Sequence, residues 1–567
     1  MRFFNMISIG ISCFYHDSSV CLVIDGKVKL AVEEERFSGI KHDSSFPHKS
    51  IKWIMEESKL SFEDIEEVCF YEKPLLKTHR IVTNCLDNFQ IKDAFKFAVK
   101  GVRQYRDLKK QIRFLFSNAN IKFTNHHNSH IGYSYLTSPF DEAAILSVDG
   151  VGEWDTTVLA YGEGNKWQEL DSTSFPHSLG MFYSTFTAFL GFKPNEGEYK
   201  VMGLAPYGNP KTYVHKFREI IYPSEKGGYK LNMNMFQYHR SDEVMFTSEL
   251  SKHLELLPRL PNEELTQQHK DLAASVQFIY EMYFFRLLKD LHRRTKCDNL
   301  VLGGGCAYNG TANGKISKKT GFKNVWIPSS PSDSGSSIGA CLISHYQNNN
   351  FLRIENTNPF LGPKFSNEYI AQILRNYNNK LIYKKLSDNE ITEIIATKIS
   401  NGEVVAWFEG RLELGARALG HRSILADARN PEMKNRINKI VKKREGFRPF
   451  APIVRGDSTS KYFEWNKKVP YMNQIVYVKN EFRDKLPAIT HVDGSARIQT
   501  LESGYETQRI YSLLDKLEEK TGFPIVLNTS FNVKDQTMIM NPETAIKTFL
   551  DIGLDALVLE NYLIVKK

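Results

Sequence analysis

The chain has 567 residues, too many for one hydrophobic core, so two or three domains are expected. Hydrophobic residues make up 41% and charged residues 25%, the balance of an ordinary globular protein, which argues against a disordered chain or a repeat architecture. The net charge of +9 is concentrated, because the segment from Arg411 to Arg455 holds twelve Lys/Arg and four Asp/Glu. Such a segment favours a phosphate-bearing partner, a nucleotide or an RNA backbone, with a solvated basic face as the alternative.

The amino-terminal run MRFFNMISIGISC predicts a buried strand rather than a secretory signal, because Asn5 and Ser8 interrupt it and no small-residue cleavage site follows. No run of about 18 apolar residues is present, so no membrane partner is expected. The seven cysteines include no CxxC pair, which favours reduced thiols over a cysteine zinc site. These features predict a cytoplasmic protein.

Two segments share a pattern of strand, polar turn and hairpin. ISIGISC leads into the loop FYHDSS and then a hairpin over 20–32, which turns at Asp25-Gly26. The pattern returns as a strand over 143–150 and a hairpin over 156–170. This repeat predicts a duplicated α/β fold of the actin or sugar-kinase type, in which the two polar turns face each other across a cleft.

A long helix with an apolar stripe is predicted over about 271–292, and it leads into the strand NLVLGGG at 299–305. Glycines at the end of a buried strand suit close approach of the backbone to an anion, so Gly304 and, in the same motif, Asn309 are candidate nucleotide-binding residues. The Asn- and Pro-rich segment 348–363 lacks periodicity, which predicts a domain boundary.

The remainder of the chain mixes helices and strands. Asn430-Pro431 predicts a helix start, with Asn as the cap and Pro at the first helical position. Lys442 falls opposite the apolar face of this helix, where it can meet solvent or a ligand.

Four residues are candidate metal ligands. His126 and His130 lie one helical turn apart in HHNSH, so both imidazoles can reach one ion. Asp149 ends a predicted strand, and Asp333 lies in the polar turn PSSPSDSGSSIGA. Two imidazoles and two carboxylates suit iron, manganese or zinc better than magnesium or calcium. Structural histidines and ordinary turn aspartates are the alternative.

Several longer motifs resemble one family. They are FYHDSS, VEEERFSGIKHD, HHNSH, SVDGVGEW, NEGEYKVMGLAPYG, LGGGCAYN, PSDSGSSIGA, GRLELGARALGHRSILAD, KKREGFRPFAP, THVDGSARIQT and LNTSFN. In this order they resemble the O-carbamoyltransferases that include nodulation protein U and the tobramycin and cephalosporin carbamoyltransferases. The sequence departs from the commonest family pattern at Cys306, Ala416 and His421, and none of these departures removes a charged or metal-binding group.

The resemblance implies two domains and a two-step reaction. Residues 1–355 would form an actin-like, metal-binding carbamoyl-transfer domain, and residues 365–567 a domain similar to threonylcarbamoyl-AMP synthase. The second domain would condense carbamoyl phosphate with ATP, supplied with Mg²⁺, to give carbamoyl adenylate and pyrophosphate. The first would transfer the carbamoyl group to a hydroxyl of a small molecule, such as a sugar or natural product, away from bulk water. A homodimer is compatible with the sequence.

The resemblance also implies the site residues. The metal, commonly ferrous iron, would be held by His126, His130, Asp149 and Asp333. The catalytic residues would be His16, Asp17, Arg417 and Lys442. The nucleotide and carbamoyl phosphate would be bound by Arg411, Arg417, Lys442, Arg448, Arg497, Thr529, Ser530, Gly304 and Asn309. Several cations are appropriate to such a site, because Arg and Lys bind phosphate and stabilise the departing pyrophosphate.

Three other classes of protein share parts of this pattern. A tRNA threonylcarbamoyl-transfer enzyme would account for both halves, but basic residues woven through ALGHRS and FRPFAP indicate a pocket rather than an open nucleic-acid stripe. A hydrogenase-maturation enzyme would carry paired CxxC motifs and an acylphosphatase segment, which this sequence lacks. A regulatory actin-fold ATPase would not account for the second domain over residues 365–567.

Overall fold

The structure is a computed structural model, and it describes residues 6–224, 228–241, 243–348, 353–442 and 445–567, without the side chains of Asn348 and Lys442. The chain divides into two units, one formed by Met1–Ala31 and Ser44–Thr357, the other by Val32–Asp43 and Asn358–Lys567. The division after Thr357 falls inside the Asn- and Pro-rich segment. The early segment 32–43 belongs to the second unit, a feature that the sequence did not predict.

The elements up to Thr357 are mixed α/β. The strands are β1 (Ile7–Ser12), β2 (Ser19–Ile24), β3 (Lys27–Glu33), β4 (Glu67–Phe70), β5 (Asn120–Phe123), β6 (Glu142–Val148), β7 (Asp155–Glu163), β8 (Lys166–Ser174), β9 (Ile221–Pro223), β10 (Tyr229–Leu231), β11 (Asn299–Gly303) and β12 (Asn324–Trp326). The α-helices are α1 (Glu35–Ser38), α2 (His48–Ser58), α3 (Pro74–Asp87), α4 (Ile91–Leu115), α5 (His126–Leu136), α6 (Leu179–Phe189), α7 (Glu198–Leu204), α8 (Ser248–Leu254), α9 (Gln267–Thr295), α10 (Gly310–Asn313), α11 (Ile316–Lys319) and α12 (Asp333–Ile343).

The first unit contains two five-stranded sheets with the same topology. Their strand orders are β3-β2-β1-β4-β5 and β8-β7-β6-β11-β12. In each sheet the middle strand runs antiparallel to its hairpin neighbour, β2 or β7, and parallel to the next strand on the other side, β4 or β11. Both predicted hairpins are present, so the repeated pattern in the sequence corresponds to a repeated strand arrangement.

Close packing of α5 against α12 positions the polar ends of these helices. A Cβ atom on Gly339 would lie 1.9 Å from the carbonyl oxygen of Ser129, and one on Gly132 would lie 2.8 Å from the carbonyl oxygen of Gly339. The glycines therefore allow the two backbones to approach closely. Since α5 begins at His126 and α12 begins at Asp333, this contact brings the side chains of both helix starts into one buried region.

The second unit is built on an eight-stranded sheet. Its later strands are β13 (Leu381–Lys385), β14 (Val405–Phe408), β15 (Arg422–Ala426), β16 (Ala451–Arg455), β17 (Ile475–Tyr477), β18 (Ser495–Arg497), β19 (Gln499–Leu501), β20 (Ile525–Ser530), β21 (Ala556–Leu559) and β22 (Tyr562–Lys566). Its later α-helices are α13 (Asn367–Arg375), α14 (Asp388–Ser400), α15 (Met433–Ile437), α16 (Thr459–Tyr462), α17 (Asn480–Arg483), α18 (Gln508–Thr521) and α19 (Pro542–Asp551). The sheet order is β13-β22-β21-β14-β15-β20-β16-β19, and β17 pairs with β18.

The helix predicted from Asn430-Pro431 begins later than expected. The Asn430 side chain accepts a hydrogen bond from the Glu432 amide at 2.9 Å, which forms a turn, and α15 starts only at Met433. Met433, Ile437 and Val441 of the predicted apolar face are buried. The Lys442 side chain lies outside the described residues. Within the part of the chain that is described, no helix has the length and apolar character needed to cross a membrane.

Candidate active site

Two histidines and two aspartates converge in the first unit. His126 and His130 project from the first turn and a half of α5, Asp149 follows the end of β6, and Asp333 is the first residue of α12. All four are buried, and one ligand atom from each lies within 4.8 Å of the others. The structure therefore assembles the four predicted ligands from three separate elements.

The spacing of these atoms suits a metal ion. The two imidazole Nε2 atoms are 3.0 Å apart, and the His126 Nε2 atom lies 2.9 Å from Asp149 Oδ2. The remaining nitrogen–oxygen separations are 3.4–3.7 Å. Ligand atoms about 2.1 Å from one ion are separated by about 3.0–3.4 Å in octahedral or tetrahedral coordination. Asp333 Oδ2 is buried without a hydrogen-bond partner among the described residues, so this carboxylate retains capacity for a cation.

Neighbouring groups orient the cluster. Ser336 Oγ lies 3.0 Å from His130 Nδ1, and the Gly305 amide donates to Asp149 Oδ1 at 2.9 Å. The buried Glu153 carboxylate accepts from the His126 amide at 3.0 Å, which fixes the start of α5. Such outer contacts hold metal ligands in one orientation. Glu153 lies in the motif SVDGVGEW, but nothing in the sequence indicated its role.

The glycine-rich turn supports Asp149 directly. Gly304 has a φ of +85°, and a Cβ atom there would lie 2.2 Å from the carbonyl oxygen of Val148. Its amide donates to the Pro331 carbonyl at 2.8 Å, so this amide is already used within the protein. Asn309 accepts from the Ala312 amide and pairs with Gln277. The structure thus shows contacts of Gly304 and Asn309 that hold the turn together.

The carboxylates change the acid–base behaviour of the histidines. Burial lowers the pKa of His130, but hydrogen bonds and charges from Asp149 and Asp333 outweigh it and raise the pKa to about 9. Burial opposes ionisation of Asp149, yet its contacts with His126 and His130 hold its pKa well below the usual range. The adjacent His127 is different, because burial and the two neighbouring imidazoles lower its pKa to about 3. Its ring nitrogens face Ser147 Oγ and the Asp155 carbonyl instead of the cluster.

His16 and Asp17 lie in the polar turn after β1. His16 Nδ1 is 2.7 Å from an Asp17 carboxylate oxygen, and Nε2 is 3.0 Å from the Asn195 carbonyl oxygen. Burial lowers the pKa of His16, but the Asp17 hydrogen bond and the charges of Asp17 and Asp333 raise it to about 9. The His16–Asp17 ion pair is therefore stabilised in part by the charge of Asp333, one of the four residues of the His–Asp cluster in the same unit.

In the second unit, the sheet topology brings most of the predicted anion-binding residues to one edge. Arg411 and Arg417 lie in the loop between β14 and β15, Arg448 precedes β16, and Arg497 precedes β19. The remaining two, Thr529 and Ser530, end β20. Because β20 runs antiparallel to β15 and β16, and β19 runs parallel to β16, all these positions fall at the same end of neighbouring strands.

The buried Glu413 carboxylate holds the conformation of the loop of residues 409–421 through hydrogen bonds to backbone amides. One oxygen of Glu413 accepts from the amides of Leu419, His421 and Arg422 at 2.8, 2.9 and 3.2 Å. A charged acceptor serving three amides is strong because each hydrogen bond is charge-assisted. Glu413 therefore determines the shape of the segment that carries Arg411 and Arg417.

The segment 32–43 supports the same loop. Glu33 accepts from the Gly415 amide at 2.7 Å, and Arg36 donates to the Gly415 carbonyl at 3.0 Å. Arg36 also pairs with Glu35 at 2.6 Å. These residues come from the motif VEEERFSGIKHD, to which the sequence assigned no function.

Two residues of the basic segment are structural. The guanidinium of Arg422 is fully buried, donates to the carbonyls of Gly410 and Pro363, and lies 3.7 Å above the Phe408 ring; burial lowers its pKa to about 10. His421, one of the departures from the family pattern, stacks on Phe360 at 3.7 Å. Part of the local positive charge is therefore internal.

Comparison with family models identifies the kind of enzyme. The model for the carbamoyltransferase N-terminus matches residues 7–342, and the model for the carbamoyltransferase C-terminus matches residues 396–566. The protein is thus a transferase, and it belongs to the carbamoyltransferase family.

Relatives extend over nearly the whole chain. An uncharacterised protein of Synechocystis sp. is 38% identical over 98% of this chain and 96% of its own length. Nodulation protein NolNO of Sinorhizobium fredii is 34% identical over 98% of this chain and 79% of its own length. A solved structure, component A of (R)-2-hydroxyglutaryl-CoA dehydratase from Acidaminococcus fermentans, covers 60% of this chain and 98% of that chain at 14% identity, with a TM-score of 0.33.

Proposed function

We propose that this carbamoyltransferase uses ATP and carbamoyl phosphate to carbamoylate a hydroxyl group of a small molecule. The observation that carries the proposal is that the chain has two polar sets, the His–Asp cluster (His126, His130, Asp149 and Asp333) in the first unit and a cationic sheet edge in the second. Each set suits a different half-reaction. The proposal includes an actin-like first unit and a second unit similar to threonylcarbamoyl-AMP synthase.

The sheet edge of the second unit suits formation of the adenylate. Carbamoyl phosphate, ATP and water would give carbamoyl adenylate, pyrophosphate and phosphate. Water would cleave carbamoyl phosphate to carbamate and phosphate. A carbamate oxygen would then attack the α-phosphorus of ATP, and pyrophosphate would leave with the bonding electrons. Arg411, Arg417, Arg448 and Arg497 would bind the phosphates, because guanidinium groups make planar two-pronged contacts with them. Preplaced cations also stabilise the charge that develops on pyrophosphate.

The His–Asp cluster suits the transfer step. Its residues fit a divalent transition metal such as Fe²⁺, which when bound would polarise a carbonyl or acidify a hydroxyl group. The acceptor oxygen would attack the carbamoyl carbon, AMP would leave with the electrons of the broken C–O bond, and the hydroxyl proton would pass to solvent. His16 and Asp17 would orient the substrate near the cluster, since their ion pair lies in the polar turn of the same unit.

Product analysis tests the adenylate step. With carbamoyl phosphate and an acceptor, the nucleotide products should be AMP and pyrophosphate, and ADP as the main product would overturn the mechanism. Arg417→Ala should lower pyrophosphate release by about 30- to 1000-fold, as loss of a charge-stabilising group does in other active sites. Arg375→Ala is the matched control, because Arg375 is an exposed cation at the end of α13. Equal loss in both variants would contradict the assignment.

Metal analysis tests the transfer site separately. His130→Ala should lose metal and form little carbamoylated product, yet retain pyrophosphate release. His127→Gln is the matched control, because His127 is equally buried but faces away from the cluster. Melting curves must first show that both variants are folded. Abolished pyrophosphate release in folded His130→Ala would mean that both steps share one site.

A panel of acceptors defines the substrate class. Sugars, aminoglycosides and other polyhydroxylated molecules should be tested by mass spectrometry for a carbamoyl adduct, with tRNA included as the alternative acceptor. Modification of tRNA without any small-molecule product would replace the proposed acceptor class and leave the adenylate chemistry in place.

A further inference from the structure

Helix α4 carries an apolar stripe that is exposed to solvent. Ile91, Phe95, Val99 and Val102 are spaced by four, four and three residues, so they lie on one face of the helix. Their side chains are 54–75% exposed. The face of α4 that is buried in the unit is a different one, formed by residues such as Leu108 and Ile112. The stripe is therefore additional to the packing that holds α4 in place.

A basic row runs beside the apolar stripe. Lys92, Lys96, Lys100 and Arg103 each follow one stripe residue in sequence, so they lie about 100° further around the helix. The whole helix has eight basic and two acidic residues. Within the described part of the chain, the three lysines of this row make no ion pair. Their charges are therefore available to an external partner.

The turn before α4 extends the apolar surface. Phe89 is 92% exposed and has a φ of +60°, a conformation that costs free energy for a residue with a Cβ atom. Hydrogen bonds fix this turn on both sides of the phenyl group: Arg240 donates to Asn88 Oδ1 at 2.7 Å, and the Gln90 amide donates to the Cys85 carbonyl at 2.8 Å. The phenyl group is thus presented to solvent from a fixed turn.

We propose that the surface formed by Phe89 and α4 binds an anionic lipid surface. A helix with exposed Phe, Ile and Val beside a row of Lys and Arg has the pattern of helices that lie in the plane of a bilayer interface. Anionic headgroups complement the basic row, and acyl chains accept the apolar stripe. A second copy of this chain is a poorer occupant, because two α4 helices would oppose like charges. The sequence predicted no membrane partner from the absence of a spanning segment, which does not bear on a peripheral helix. The proposal is independent of the carbamoyl chemistry.

Vesicle sedimentation tests the proposal with the intact protein. The wild-type protein should bind vesicles of phosphatidylcholine and phosphatidylglycerol in equal amounts, bind pure phosphatidylcholine weakly, and dissociate as salt is raised. Lys92→Glu with Lys96→Glu should weaken binding by at least about tenfold, because each basic residue near an anionic surface adds to the electrostatic attraction between protein and vesicle. Phe89→Ser with Phe95→Ser should weaken binding by about tenfold or more, since two exposed phenyl groups are removed.

The control is Leu257→Ser with Leu260→Ser, which removes two other exposed apolar side chains, 80% and 63% exposed, from the same unit. Binding of this control should equal that of the wild type. Three results would overturn the proposal: no binding of the wild type to anionic vesicles, equal binding by all folded variants, or binding of the intact protein to polyglutamate without binding to vesicles. Light scattering that shows a dimer dissociated by the Phe89 and Phe95 changes would assign the surface to a second copy instead.

Discussion

Replacement of Glu413 by Ala should open the loop of residues 409–421 without unfolding the second unit. The substitution removes the acceptor of three amides, those of Leu419, His421 and Arg422, and all three residues are buried. A buried donor left without a partner costs about 1–3 kcal/mol, so three such losses, which are not fully additive, amount to about 3–6 kcal/mol. An opening that reorganises only this loop is the cheaper response.

Hydrogen exchange followed by mass spectrometry measures that opening. A local cost of 3 kcal/mol should raise the exchange of the three amides by about a hundredfold. Glu413→Gln is the matched control, because it keeps an oxygen acceptor of similar shape and loses only the charge that faces Arg422; it should cost about 1–2 kcal/mol. Pyrophosphate release should fall in parallel with loop opening. Unchanged protection of these amides in folded Glu413→Ala would refute the assigned role of the carboxylate.

Two further predictions concern a titrating group and a strained turn. Burial raises the pKa of Glu409 to about 7, despite the nearby charge of Arg509. The proton bound by the folded state stabilises it below pH 4.5, and this contribution is lost as pH rises towards 7. Between pH 5 and pH 8, the free energy of unfolding of Glu409→Gln should therefore rise by about 2–4 kcal/mol relative to that of the wild type, measured by chemical denaturation. If the two proteins lose or gain stability in parallel over this range, the pKa of Glu409 is not raised. Gly304→Ala should lower the free energy of unfolding by about 2–4 kcal/mol and reduce metal content, because the new Cβ would clash with the Val148 backbone. The control is Gly164→Ala, since Gly164 also has a positive φ but no atom within 4 Å of the new Cβ. This control should cost about 1 kcal/mol and leave metal content unchanged.

Local patterns in the sequence predicted the hairpins and the strands that flank them. Asp25-Gly26 between alternating apolar residues specifies a two-residue turn. This signal depends only on residues adjacent in sequence and not on contacts with distant parts of the chain. The long helix α9 was predicted for a similar reason, since its apolar stripe extends over many turns. The late start of α15 was not predicted, because Asn430 can either cap a helix or form a turn, and the turn is the outcome in this structure.

The candidate metal site was predictable only in part. Spacing indicated His126 and His130, whereas Asp149 and Asp333 were weaker candidates, because aspartates are common in turns, and the resemblance to a family added the support that spacing lacked. Glu153 and Glu413 were missed because their partners are backbone amides, which have no signature in a sequence. The role of Glu33 was also missed, since its partner Gly415 is 382 positions away.

The assignment of residues 32–43 to the second unit has a consequence for synthesis of the chain. These residues are synthesised more than three hundred positions before the rest of their unit. The hydrogen bonds of Glu33 and Arg36 with Gly415 therefore cannot form until Gly415 has left the ribosome. Domains generally fold in order of synthesis, but here the second unit cannot be completed from its own carboxyl-terminal stretch. A single cut between the two large segments would therefore release a carboxyl-terminal piece whose loop at Gly415 lacks two of its hydrogen-bond partners.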